Sequence, residues 1–370
     1  MNRRQFISKS LLGAVGCVVG CRTADGRSSY SVAILGDTHF DTSPSSAYHA
    51  EFLRKYGQDK LQRWRSEEFE RNARMWVGPS RKILEASGRV VTDDTRFVLQ
   101  LGDLIQGDCA DANVHARMLS NAVAYMKGAY PAGMRFVTVC GNHDVRDGVD
   151  PMGDDRAAAE SYRRFSGGST TYCFREGPDL FVVADFNRGR EDADIVKRAL
   201  LENDDVRHTF FIVHGGVFPF DVGRRRWFYL GAAVDDALRR EMRALLARRN
   251  AIVLCGHTHC LEFKEAVFPE GRLVEFTMNT VWAGKNGIAY PAEPKVLREG
   301  VRAYGDAEWV RSSPDVTALF DEYRPYMRRY FAGRAVGHAV MRVSDEAVVF
   351  DYYGHDALVP TRSWRVPAAR

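Results

Sequence analysis

Five short apolar runs in this chain each lead into a glycine-flanked polar residue able to bind a metal, and this pattern restricts the fold more than any other feature. The runs are 32–35, 97–101, 136–140, 210–213 and 252–255. The segments that follow are Gly36-Asp37-Thr38-His39, Gly102-Asp103, Gly141-Asn142-His143-Asp144, His214-Gly215-Gly216 and Gly256-His257-Thr258-His259. Runs this short are strand-length, and with no polar alternation they read as strands buried on both faces. Such strands need helices on the outer faces of their sheets. Polar residues at the ends of these strands converge at one sheet edge, where α/β proteins place their sites. Glycine beside each polar residue lets the backbone turn sharply without a Cβ clash.

The rest of the chain fits this frame. Helical spacing is predicted over 47–87, broken at Gly78-Pro79, and over 113–127, 154–165, 234–248 and 314–331. Further strands are expected at 171–174 and 180–185. Segments 261–268 and 272–278 alternate like antiparallel strands around Pro269-Glu270-Gly271, and 339–343 with 347–353 suggests a hairpin around Ser344-Asp345-Glu346. No internal repeat or low-complexity segment is evident.

The residue types suit metal chemistry. Residues at i and i+2 of an extended segment share a face, so Asp37 can act with His39 and His257 with His259. Imidazole, carboxylate and amide oxygen without thiolate suit iron, manganese or zinc better than magnesium or calcium. Each motif alone is weak, since Gly-Asp after a strand is commonly a turn. Together they hold five of the ten histidines; His49, His115, His208, His338 and His355 read as surface or packing residues.

In this order the motifs resemble those of the calcineurin-like metallophosphoesterases: Asp-x-His, Gly-Asp, Gly-Asn-His-Asp/Glu, His, Gly-His-x-His. The likeness spans residues 36–259. It implies an α+β fold of the α/β type, a four-layer α/β/β/α sandwich of two mixed sheets, here with a C-terminal β-rich extension. It implies two divalent or trivalent transition-metal ions (manganese, iron or zinc). Asp37, His39 and His259 would hold the first, Asn142, His214 and His257 the second, and Asp103 would bridge them. His143 would face the substrate and assist the leaving group, and Asp144 would order the loop. The implied reaction is hydrolysis of a phosphomonoester or phosphodiester by a metal-bridging hydroxide. The alternative is an inactive relative serving as an anchored binding module, marked by bound metal without turnover. In the protein-phosphatase branch an aspartate three residues after the bridging one orients the histidine. Gln106 stands there in this chain, with Asp108 close by.

Outside the motifs, Arg146, Arg188, Arg190 and Arg224-Arg225-Arg226-Trp227 follow motif strands and could meet substrate charge, although a solvated basic surface is the plainer reading. The insert bearing Tyr48, Trp64 and Trp76 could cover the site, its aromatics serving as packing. The N-terminus, with Arg3-Arg4 before a short apolar stretch, resembles a twin-arginine export signal over residues 1–21. Val18-Val19-Gly20-Cys21 resembles a lipoprotein cleavage box with Cys21 lipidated, and an ordinary signal cut near Ala24 is the alternative. A tether over 22–30 and a catalytic body over 31–370 would then reside in the periplasm or cell envelope, with membrane attachment through Cys21. The formal charge of +4 falls to +1 without Arg3, Arg4 and Lys9, so no electrostatic case for nucleic acid arises and no protein partner is inferred. Five cysteines follow Cys21. Cys140 and Cys255 read as buried thiols, and a disulfide among Cys109, Cys173 and Cys260 is open.

Overall fold

The computed structural model describes residues 29–41, 72–107, 112–146, 156–222, 228–230, 236–281, 284–285, 288–289 and 294–369. The export signal, Cys21, most of the tether, Tyr48, Trp64, Asp108, Cys109 and Arg224–Trp227 lie outside them.

Sixteen strands are numbered in chain order. One sheet contains β1 (Tyr30–Leu35), β2 (Thr95–Gln100), β3 (Arg135–Thr138), β14 (Gly337–Val343), β15 (Ala347–Gly354) and β16 (Arg362–Pro367). The other contains β4 (Tyr172–Glu176), β5 (Asp179–Ala184), β6 (Thr209–Val213), β7 (Ile252–Cys255), β8 (Leu261–Phe268), β9 (Gly271–Thr277), β12 (Lys295–Glu299) and β13 (Met327–Arg334). Strands β10 (Gly284–Lys285) and β11 (Ile288–Ala289) form a small separate pair. The spatial orders are β16-β15-β14-β1-β2-β3 and β12-β13-β8-β9-β7-β6-β5-β4. Both sheets are mixed: β1, β2 and β3 run parallel, as do β5, β6, β7 and β9, while the remaining pairs are antiparallel.

The continuous apolar runs are explained by the layers. In β1, Val32 and Ile34 enter the core between the sheets, while Ala33 and Leu35 face the outer layer. In β6, Phe210 and Ile212 point inward while Phe211 and Val213 point outward. Helices α1 (Pro79–Val90), α2 (Ala112–Lys127) and α3 (Arg156–Phe165) contribute to the outer core of the smaller sheet. Helices α4 (Ala193–Leu201) and α5 (Asp236–Arg248), with the short α6 (Glu308–Arg311) and α7 (Pro314–Asp321), contribute to that of the larger. This is the four-layer α/β/β/α sandwich. Buried aromatics fill the inter-sheet core, where Phe276 stacks on Phe350 at 4.4 Å across the two sheets.

Several sequence expectations change. The C-terminal strands are members of the two main sheets: β14 pairs with β1, and β13 pairs with β8. The helix expected over 314–331 stops at Asp321, and its last five residues begin β13, because Pro325 cannot continue a helix. Cys140, Cys173, Cys255 and Cys260 are buried thiols, so no disulfide joins Cys173 to Cys260. Trp76 is packing: its indole stacks edge-on with Phe40 and Tyr125 and donates to the Thr38 carbonyl at 3.0 Å.

The alternation of β8 and β9 is present, but its polar face is not solvated. Glu262, Lys264 and Glu275 lie on that face with no exposure. Lys264 Nζ donates to Glu275 Oε1 at 2.8 Å and forms an ion pair with Glu262 Oε2 at 2.5 Å. Glu275 Oε2 accepts from the Val217 and Phe218 amides, so the cluster anchors the loop after His214. Burial, against the pull of Lys264, pushes the Glu262 carboxyl from its ordinary 4.5 up to about 7. The folded protein therefore keeps a proton that the unfolded chain releases, and stability from this group falls as pH rises from 4.5 to about 7. Glu262→Gln is expected to match the parent at pH 4.5 and exceed its stability by about 1–3 kcal/mol at pH 8. Urea unfolding of both proteins at the two pH values checks this. A pH-independent difference would remove the assignment.

Candidate metal centre

The five motif strands deliver their residues to one edge. Strands β1, β2 and β3 are neighbours in one sheet, β6 and β7 in the other, and each is followed by its polar segment. The loops are tied across the sheets. The Thr38 and His39 amides both donate to the Asp103 carbonyl, at 3.0 and 2.9 Å. The Gly256 amide donates to the His214 carbonyl at 2.9 Å, and the His257 amide donates to Asp37 Oδ1 at 2.9 Å. His214 Nδ1 donates to the Leu101 carbonyl at 2.8 Å, so Nε2 is the nitrogen turned toward Asp103.

Three overlapping groups of donors result, one of them His39, Asp103 and His143. Asp37, His39 and His259 place one donor atom each within 4.8 Å of one another, and so do Asp103, His214 and His257. Asp103 Oδ2 stands 3.2 Å from His214 Nε2 and 3.8 Å from His39 Nε2, so it joins the groups. Asp37 Oδ2 is 3.0 Å from His259 Nε2. Asn142 lies one residue before His143, whose amide donates to Asp103 Oδ1 at 2.8 Å. The Asn142 Oδ1 atom is buried and has no hydrogen-bond partner. Six of the seven residues expected from the sequence, Asp37, His39, Asp103, His214, His257 and His259, meet in these groups, and Asn142 directly precedes His143.

The electrostatics and backbone fit cations. His39 Nε2 faces His259 Nε2 at 3.0 Å, and His214 Nε2 faces His257 Nδ1 at 3.1 Å. Lone pairs held that close repel unless a proton or a metal lies between them. Burial disfavours charge on His214, yet the Asp103 carboxylate raises it to about 10. Burial likewise opposes charge on Asp103, but His214, His143 and His39 hold it well below the usual carboxylate range. His39, Asp103, His257 and His259 have left-handed backbone, with φ of 41°, 51°, 74° and 55°. They are four of the seven non-glycine residues so strained among the described residues, and strain of this kind concentrates at functional sites. A Cβ on Gly141 would lie 2.2 Å from Asp103 Oδ1, and one on Gly256 would lie 2.3 Å from Asp37 Oδ1. Only a bare backbone fits against these carboxylates.

His143 also places a donor atom within 4.8 Å of His39 and Asp103. Its ring centroid is 4.5 Å from that of His39. Its Nδ1 donates to the Gln106 carbonyl at 2.9 Å, and its Nε2 accepts from Arg146 Nη1 at 3.1 Å. Burial and the Arg146 charge push the imidazole down to about 3. Position 106 therefore still orients the histidine, through its backbone, while the Gln106 side chain accepts from Asn72.

Sequence reasoning missed several supports. Gln100 Nε2 donates to the Gly36 and Gly102 carbonyls, and its Oε1 accepts from Thr138, joining three motif strands. Asp144 accepts from the Ile105 and Gly141 amides, which makes it the staple of the two loops. His115, buried between Ser161 Oγ and the Asp144 carbonyl, supports the same turn. The polar Gln100 at the end of an otherwise apolar run was the available signal for the first of these. Arg188 pairs with Asp192 and is a structural cation.

Comparisons with known proteins agree with this geometry. No curated protein matches the sequence. Among solved structures, PhoD superposes with a TM-score of 0.50 at 13% identity, over 97% of this chain and 70% of PhoD. GAP50, the anchor in the inner membrane complex of Plasmodium, gives 0.48 at 11% identity, over 93% and 90% of the two chains. A dimetal phosphatase from Danio rerio gives 0.46 at 12% identity, over 92% and 99%. At such identities the PhoD likeness speaks for the fold alone, and the other two carry no weight. The model of the calcineurin-like phosphoesterase family matches residues 30–261, the segment that carries every donor described above. With more than half of its length so matched, the chain belongs to the calcineurin-like phosphoesterase family.

Proposed function

We propose that the protein is an exported hydrolase of phosphomonoesters or phosphodiesters that works with two metal ions. The observation that carries this reading is the pair of donor groups sharing Asp103, each with imidazole nitrogens about 3 Å apart. Asp37, His39 and His259 would hold one cation, Asn142, His214 and His257 the other, and Asp103 both. Such a pair supplies a nucleophile from water near neutral pH and offsets phosphoryl charge.

The remaining work falls to the protein's own groups. The Leu101 carbonyl sets the His214 tautomer, and the Gln106 carbonyl fixes the His143 ring. His143 Nε2, which accepts from Arg146 here, is the nitrogen that would meet the departing oxygen, and it can donate to that oxygen only after taking up a proton. Loop anchoring by Asp144 and Gln100 keeps these groups in place before substrate arrives, as electrostatic catalysis requires. Export rests on the paired arginines and the short apolar stretch of residues 1–21, and envelope attachment on Cys21.

The test is metal analysis of the protein lacking residues 1–21, together with hydrolysis of aryl phosphate mono- and diesters. Two transition-metal ions per chain and metal-dependent turnover are expected, and chelation should abolish the turnover. Metal bound without turnover on any ester would make the protein a binding module. A preparation that takes up no metal under any loading condition would end the reading.

A further inference from the structure

We propose that the short turn after β5 braces one metal site only: Phe186 and Asn187 are positioning residues that hold Asn142, His214 and His257 in the geometry that takes the second cation. This rests on the two-metal reading above.

The placement begins with the sheet register. Strands β5 and β6 run parallel, with Ala184 opposite Val213. Two residues further along each chain, Phe186 comes beside Gly215, the neighbour of His214. A Cβ on Gly215 would lie 2.4 Å from Phe186 Cε2, so the phenyl ring occupies the slot that a bare backbone leaves. The ring is half-buried, and its centroid is 5.9 Å from that of His214 and 5.3 Å from that of His257. It meets the first imidazole edge-on, with planes 77° apart, and the second at a tilt of 41°. One aromatic side chain thus walls both rings whose nitrogens, His214 Nε2 and His257 Nδ1, face each other at 3.1 Å.

The next residue reaches the opposite sheet. Asn187 Nδ2 donates at 3.1 Å to the Gly141 carbonyl, which belongs to the peptide joining Gly141 to Asn142. The turn itself is pinned. Asp185 Oδ1 accepts from the Asn187 amide at 2.8 Å and from Nδ2 at 3.1 Å, while the Asp185 amide donates to Thr171 Oγ1 at 3.0 Å. Two consecutive residues therefore support the surroundings of Asn142, His214 and His257. The rings of His39 and His259, assigned to the first cation, pack on each other instead, with centroids 5.0 Å apart. Phenylalanine suits the task because it limits the orientations of an imidazole without offering a donor or acceptor that would compete with a metal for the ring nitrogens. Groups behind the ligands set metal affinity in this way.

The experiment titrates the purified protein, stripped of metal, with manganese(II) alone and follows uptake by calorimetry. His259→Ala removes a donor of the first cation and so marks which binding event belongs to which site. Phe186→Ala is expected to weaken the second-site event by roughly 10- to 100-fold and to leave the first unchanged. Phe186→Leu, which keeps much of the apolar bulk, should lose less. Asn187→Ala changes an exposed residue and should shift the same event in the same direction, so a folding defect in Phe186→Ala would not hide the result. Equal weakening of both events, weakening of the first alone, or no change in either would overturn the proposal. A parent that takes up a single ion would end the two-metal reading. The brace would then survive only if that ion is lost in His257→Ala and weakened in Phe186→Ala. A parent that takes up none would end both.

Discussion

Asp103→Ala is expected to cost both metal ions and to lower phosphoester turnover by more than about 10³-fold, because partners behind the ligands are already worth 10- to 100-fold. One carboxylate does three things here. Its Oδ2 stands near His214 and His39, one from each donor group, and its Oδ1 accepts the His143 amide. Removal leaves each group one donor short and unties the turn that carries Asn142. His257→Ala takes a donor from the second group alone, so it is expected to lose metal and activity together while retaining part of the first group. Metal analysis and thermal unfolding with and without added metal check both variants. The parent should gain stability from the metal, and Asp103→Ala should gain little. Full metal content with unchanged activity in Asp103→Ala would refute the shared-ligand role.

The second large effect concerns His143. His143→Ala is expected to keep its metals and slow turnover by about 10²–10⁴-fold, the usual range for a lost acid–base group. Both ring nitrogens already have partners in the protein, Gln106 and Arg146, so truncation leaves the other two donor groups intact. The deficit should grow with the basicity of the leaving group, being small for nitrophenyl esters and large for alkyl esters. A deficit independent of the leaving group would place His143 in substrate positioning instead. Loss of both metals would make it a ligand.

Much of the site was readable in the sequence because its donors are tied to the most legible elements. A run such as Phe210–Val213 leaves little choice but a strand with both faces covered, and His214 then has to emerge at its end. The helices on the outer faces followed from the same runs, and the four-layer sandwich from the resemblance to the family. What escaped notice has no side-chain signature or depends on distant packing. The group that orients His143 is a backbone carbonyl, which any residue at 106 would supply. Glu262 and Lys264 alternate with Leu261 and Phe263 as on a solvated sheet, and distant packing, including Phe220 over Lys264, makes that face dry. The helix overrun past Asp321 came from weighing aromatic and charged spacing above Pro325. His115 gave no local hint that it would brace a turn 29 residues away.

Strand β1, which launches Asp37 and His39, lies between β2 and β14, and its register runs from Tyr30 opposite Val343 to Ile34 opposite Ala339. Strand β1 therefore waits for a partner about 300 residues further along the chain. A chain emerging from the ribosome can assemble β5 through β9 early, but it cannot close the sheet that carries Asp37 until the segment up to Val343 has been made. A polypeptide cut short after His259 would contain every proposed ligand yet lack β14, which pairs with the strand that launches Asp37.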